Sequence, residues 1–125
     1  MVFNWFKQNK KTEMGNMRVN QINENYMVCA QINVADVADA KAFGFDTIMC
    51  NRPDNEETGQ PSAGQIERAA KKAGLKFFFV PMAHSGLAAD TLDKFRSAVS
   101  AENGKILAYC RTGNRCTLLW KMAHN

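Results

Sequence analysis

The stretch ILAYCRTGNRCTLLW, residues 106–120, sets a thiol between an apolar, strand-like run and an apolar, helix-like one. Cys110 closes the first run, and Arg111, Thr112, Gly113, Asn114, Arg115 and Cys116 fill the turn. A cysteine placed so faces the N–H groups of a tight loop at the amino end of a helix, and both stabilise its thiolate. The same amides make a cradle for an oxyanion. Gly113 supplies the backbone freedom for the loop to close. Arg115, at the start of the helix, can return a planar fork to two oxygens of a bound anion. Together these residues have the chemistry of a thiolate nucleophile, Cys110, with residues 111–116 binding the substrate oxygens. Arg111 is expected to point outward. Cys29 and Cys50 are expected to be small apolar core residues.

Such a loop needs a strand to deliver it and a helix to receive it. The segments 17–22 and 26–30 are short and apolar-leaning and predict an opening hairpin. Asn33 can cap a helix that Gly44 ends, and FDTIMC (45–50) is then a strand. NRPDNEETGQP (51–61) is a loop, and Ser62 and Gln65 have capping-box spacing for a second helix with Ile66, Ala69, Ala70 and Ala73 inward and Gly74 at its end. LKFFFVP (75–81) is so continuously apolar that it predicts a strand without a wet face. After the loop 82–89, Asp90 or Thr91 is expected to cap a third helix that Gly104 ends, and KILAYC (105–110) is the last strand. This alternation predicts an α/β fold, a mainly parallel central sheet with helices on both faces. Ligands in such folds bind at the carboxyl edge of the strands, where the loops 51–61, 82–89 and 110–115 converge.

Those loops hold the remaining candidates. His84 and Asp54 are the candidates for a general acid, against a loop hydrogen bond for His84 and an Asx-turn for Asp54. Arg52 can add positive charge to the anion site, or pair with Asp54, Glu56 or Glu57 as a loop clamp.

The bulk properties narrow the class. A chain of 125 residues with 46% apolar content is one ordinary globular domain, read as an extension over 1–16 and a catalytic domain over 17–125. Its net charge of +4 is spread out rather than striped, which argues against a nucleic-acid partner and suits a small anionic substrate. No membrane span or signal peptide is expected. Four scattered cysteines and two histidines form neither a disulfide framework nor a metal site, so a reducing, cytoplasmic setting without a cofactor is expected. Cys116 and Cys50 lie close enough to Cys110 in the expected fold to suit a reversibly oxidised enzyme.

CRTGNR after an apolar strand resembles the loops of two superfamilies, the tyrosine and dual-specificity phosphatases and the rhodanese sulfurtransferases. More specifically, VCAQ (28–31), CNRPDNEETGQPS (50–62), FFFVPM (77–82) and LAYCRTGNRC (107–116) are similar to the phosphatase-like domain of beta-lactamase-hydrolase-like proteins. The resemblance implies a dual-specificity-phosphatase-like fold, with Cys110 as nucleophile and Arg115 as oxyanion ligand. Four residues separate Cys110 from Arg115, the rhodanese spacing, where tyrosine-type phosphatases have five. Cys116 stands where they carry Ser or Thr, and the loop 82–89 lacks their Asp. Three readings therefore stay open: a phosphoester hydrolase working through a phosphocysteine, a persulfide sulfurtransferase, and an anion-binding module without turnover.

Overall fold

The computed structural model describes residues 11–101 and 103–125, so that most of the opening MVFNWFKQNKK lies outside the described residues. Six strands make one sheet: β1 (Lys11–Met14), β2 (Met17–Asn23), β3 (Tyr26–Cys29), β4 (Thr47–Cys50), β5 (Lys76–Phe79) and β6 (Ile106–Tyr109). Their order is β1-β2-β3-β6-β4-β5, antiparallel through β3 and parallel from there on. Among the described residues four helices alternate with the later strands: α1 (Val34–Ala42), α2 (Ala63–Lys72), α3 (Thr91–Ser100) and α4 (Asn114–Ala123). The expected α/β class and mainly parallel sheet are present.

Strands β3, β4 and β6 are short, apolar and buried at every position, as the central strands of a parallel sheet must be. Alternate residues leave them in opposite directions. Met27, Ile48, Leu107 and Tyr109 join one apolar cluster with Val37, Ala40, Ile66 and Ala70 of α1 and α2. Val28, Met49, Ala108 and Cys110 join a second cluster with Phe95, Cys116 and Leu119 of α3 and α4. Among the described residues no helix is long and apolar enough to cross a membrane.

The helix starts follow their caps. The Asn33 N–H donates to Asp36 Oδ2 at 2.7 Å, and Ser62 and Gln65 exchange the expected capping-box bonds at 2.8 and 3.1 Å. Four details differ from expectation. Residues 11–14, expected within an extension, pair with β2 as an edge strand, because the tight turn at Gly15 returns the chain alongside Met17–Asn20. β5 is the other edge strand. Phe77 and Phe78 go to opposite clusters, but Phe79 remains 45% exposed, since among the described residues no further strand pairs with this edge. Asp90 occupies the N-cap position of α3 but makes no capping bond. Its backbone is helical rather than extended, and its carboxylate pairs with Lys94 at 3.2 Å. Finally, α3 ends at Ala101, before Gly104. Gly104 instead has a left-handed φ of +65° and lies where a Cβ would strike the Asp46 carboxylate, which accepts the Lys105 N–H at 2.9 Å.

Strand register positions the site. Cys29, Tyr109, Cys50 and Phe79 stand level across β3, β6, β4 and β5. The next residue of each strand therefore opens a loop on the same edge, and Cys110 is one of these. Asn51, the residue after β4, ties the edge together. Its N–H donates to Tyr109 O at 2.8 Å and its Nδ2 to Val80 O at 2.8 Å, while its own carbonyl accepts from Met82 N at 3.0 Å.

Candidate active site

Cys110 leaves β6 with no exposed surface. The turn after it folds back so that the Gly113 N–H donates to Cys110 Sγ at 3.1 Å. Gly113 itself has φ +96°, a left-handed conformation that any side chain would strain, and it leads directly into α4. The Cys110 thiol is pushed down from 9.0 to about 5. A hydrogen bond from the Cys116 thiol is the largest cause. Burial opposes it, and the N–H groups of Cys116, Thr112 and Gly113 add to it. Cys116 itself is pushed well above the ordinary thiol range by burial and by donating its S–H hydrogen bond to Cys110. Cys50 is raised to about 11 and Cys29 is raised further, in both cases chiefly by burial, so that of the four free thiols only Cys110 is held as an anion near neutrality. Cys29 and Cys50 are core residues, as expected.

Arg111 and Thr112 are exposed, and Thr112 Oγ1 accepts the Asn114 N–H at 3.3 Å. Arg115 is buried. Its Nη1 donates to Glu56 Oε2 at 2.8 Å and to Met82 O at 2.7 Å, and its Nη2 donates to Glu56 Oε1 at 2.8 Å. These bonds occupy three of the five guanidinium N–H groups. Nε–H and the second Nη2–H, which share one edge of the planar group, have no partner among the described residues.

Glu56 is the residue that sequence reasoning underrated, since it appeared there only as a possible partner of Arg52. It binds three elements at once. Besides the Arg115 fork, Glu56 Oε1 accepts Arg52 Nε at 2.8 Å, and Oε2 lies 3.8 Å from His84 Nε2. The Arg115 and Arg52 guanidinium groups hold its carboxyl down at about 2 against some opposition from burial. Arg52 is 1% exposed and uses the rest of its head on Gln31 Oε1 and Glu57 Oε1, both at 3.0 Å. Its geometry is that of the loop clamp. The Arg52-Pro53 start and the i,i+4 spacing of Arg52 and Glu56 were the available signal. Asp54 Oδ1 accepts the Ala63 N–H at 2.7 Å, at the amino end of α2. Of the two acid candidates, His84 is the one brought beside the Arg115–Glu56 pair.

Residues 18–125 match the model of the family described as beta-lactamase hydrolase-like protein, phosphatase-like domain. The chain belongs to this family. Among curated beta-lactamase hydrolase-like proteins, that of Agrobacterium fabrum is 32% identical over 104 residues, covering 83% of this chain and 24% of the relative. That of Xylella fastidiosa is 30% identical over 107 residues, covering 86% and 25%. The chain thus spans about a quarter of the length of the curated relatives it matches. A crystal structure from Neisseria meningitidis, described as a candidate phosphatase, superposes with a TM-score of 0.75 at 34% identity, covering 83% of this chain and 74% of that one. The core catalytic domain of a PP-IP phosphatase from S. cerevisiae, solved with citrate, shares the fold with a TM-score of 0.58 at 13% identity, covering 85% and 73%. The phosphatase-like architecture expected from the cysteine loop is thereby established.

Proposed function

We propose that this phosphatase-like domain is a cysteine-dependent phosphoester hydrolase acting on a small anionic substrate. The observation that carries the reading is the turn folded round the buried Cys110 sulfur, with the Gly113 N–H at 3.1 Å, where the Cys116 thiol and the loop N–H groups bring the thiol down to about 5. A thiolate in such surroundings attacks phosphorus, forming an S–P bond as the ester P–O bond breaks. The open edge of Arg115 matches two non-bridging oxygens, and the loop amides take the others. His84 gives the leaving oxygen its proton, with Glu56 3.8 Å behind it. Water then attacks the phosphocysteine, passing a proton back to His84 as the S–P bond breaks, and phosphate leaves while the Cys116 thiol receives the restored thiolate as a hydroxyl would. Cys110 has no exposed surface, so residues around it must move for a substrate to reach the sulfur.

The unit proposed to act is residues 17–125 with β1 along its edge. We read its two apolar clusters as the two faces of the sheet, each covered by a helix pair. The four free thiols suit a reducing, cytoplasmic setting.

The direct test is release of phosphate from phenyl phosphate. The four-residue spacing favours sulfur transfer instead, so the same preparation is assayed for thiocyanate from thiosulfate and cyanide. Phosphate without thiocyanate is expected, and thiocyanate alone would replace the hydrolase with a sulfurtransferase. Neither product would leave an anion-binding module.

The thiolate can be tested without turnover. Alkylation of Cys110 by iodoacetamide is expected to rise with pH to half its maximum near 5, well below the ~8.5 of an ordinary thiol. Cys116→Ala should move that midpoint up by roughly one to two units, since a hydrogen bond to a charged group is worth about 1.5–3 kcal/mol. An unshifted midpoint would mean that Cys116 does not stabilise the anion.

A further inference from the structure

A cavity of about 190 Å³ lies against the cysteine turn, walled on one side by Thr112, Gly113 and Asn114 and on another by Lys11, Arg18 and Asn20 of the edge hairpin. Gly113 stands between this cavity and the nucleophile, its N–H 3.1 Å from Cys110 Sγ. Register explains how the hairpin reaches it. Lys11, Asn20 and Val28 form one row across β1, β2 and β3, and Arg18 lies on the same face one pair closer to the carboxyl edge of β3. Among the described residues no acidic side chain lines the cavity or stands in the first turn of α4. Arg18 pairs with Glu13 at 3.1 Å, an ion pair about 70% exposed and therefore weak and easily exchanged. Asn20 Oδ1 is buried without a partner among the described residues, and the same amide carries two N–H donors.

We propose that this cavity receives a second anionic group of the substrate, so that the substrate class is an organic phosphate bearing another phosphate or a carboxylate close to the scissile ester. The proposal rests on Cys110 as nucleophile. Lys11 and Arg18 supply the charge, while the amide of Asn20 and the hydroxyl of Thr112 supply neutral donors. The volume corresponds to roughly six waters at about 30 Å³ each, enough for one oxyanion but not for an extended chain.

The test uses Cys110→Ser, which binds without turnover, and isothermal titration with phenyl phosphate, 1,3-phenylene bisphosphate and 3-carboxyphenyl phosphate. The ligands with a second anion are expected to bind at least tenfold more tightly than phenyl phosphate. Adding Lys11→Met and Arg18→Met should remove that advantage and leave phenyl phosphate unchanged. Lys71→Met with Lys72→Met, on α2 away from the cavity, should change neither. Arg18→Lys, which keeps the charge, should retain the advantage and serves if the double variant fails to fold. Equal affinity for all three ligands overturns the proposal. So does an advantage that survives loss of Lys11 and Arg18, or one that Lys71 and Lys72 remove equally well. An advantage for the bisphosphate alone identifies phosphate as the second group, and one for both ligands identifies a general anion site. If the affinity pattern holds but unsubstituted protein hydrolyses no aryl phosphate, the second site stands and the hydrolase reading falls. Hydrolysis without the pattern gives the reverse.

Discussion

Cys110→Ser is expected to lower kcat for phenyl phosphate by at least about a thousandfold, the scale on which loss of a nucleophile acts. The replacement is close to isosteric at a position with no exposed surface, so the core around Phe95, Leu119 and Cys116 keeps its packing. A serine oxygen can still accept the Gly113 N–H. What disappears is the anion. The surroundings that bring a thiol down to about 5 act on an alcohol whose pKa starts far higher, and no comparable fraction ionises at neutral pH. The measurement therefore pairs steady-state hydrolysis with thermal denaturation. Activity should vanish while Tm changes little. A serine variant that keeps a tenth or more of the activity would place the nucleophile elsewhere and end the phosphocysteine mechanism. Mass spectrometry of quenched reactions gives an independent view, since only the unsubstituted protein should carry a phosphoryl group on Cys110.

The parts of this site that were legible in the sequence are those encoded by local pattern. An apolar strand, a cysteine and a glycine-containing turn before a helix determine one another through backbone geometry, so Cys110, Gly113 and a helix opening near Arg115 could be read directly, and the helix begins one residue earlier, at Asn114. The capping box at Ser62 and Gln65 was legible for the same reason. The network around Glu56 was not. Arg115 and Glu56 are 59 residues apart, and their meeting depends on β4 lying beside β6, a neighbour relation that no local spacing reveals. The sequence offers Asp54, Glu56 and Glu57 within four residues. Only the folded loop decides that Asp54 turns to Ala63 N while Glu56 turns inward. Edges were also hidden. The run KFFF is as apolar as a central strand, and its edge position follows from where the crossovers take the chain. Lys11, in the basic opening of the chain, and Arg18 carried no sign of a shared site until the hairpin register placed them beside the cysteine turn.

Glu56→Gln is expected to produce the largest loss of stability among substitutions in the site, about 3 kcal/mol, corresponding to a fall in Tm of roughly 10 °C. Glutamine keeps the shape but removes the one charge shared by two buried guanidinium groups, those of Arg52 and Arg115. In either orientation its amide nitrogen also places a donor where the carboxylate accepts at least one arginine N–H. The pH dependence separates charge from shape. The folded carboxyl is held at about 2 against an ordinary 4.5, so its contribution is complete above about 4.5 and is lost as pH falls toward 2. The Tm difference between the two proteins should therefore be full at pH 7 and narrower at pH 3. Glu57→Gln, which alters only the half-exposed partner of Arg52, should cost far less at either pH. In catalysis the same substitution frees Arg115 to swing, and a misplaced fork at the phosphoryl oxygens should cost ~10–100-fold in kcat/KM. A Tm gap of constant width from pH 7 to pH 3 would mean that Glu56 acts through its shape, and the view of it as the charge that aims Arg115 would have to be abandoned.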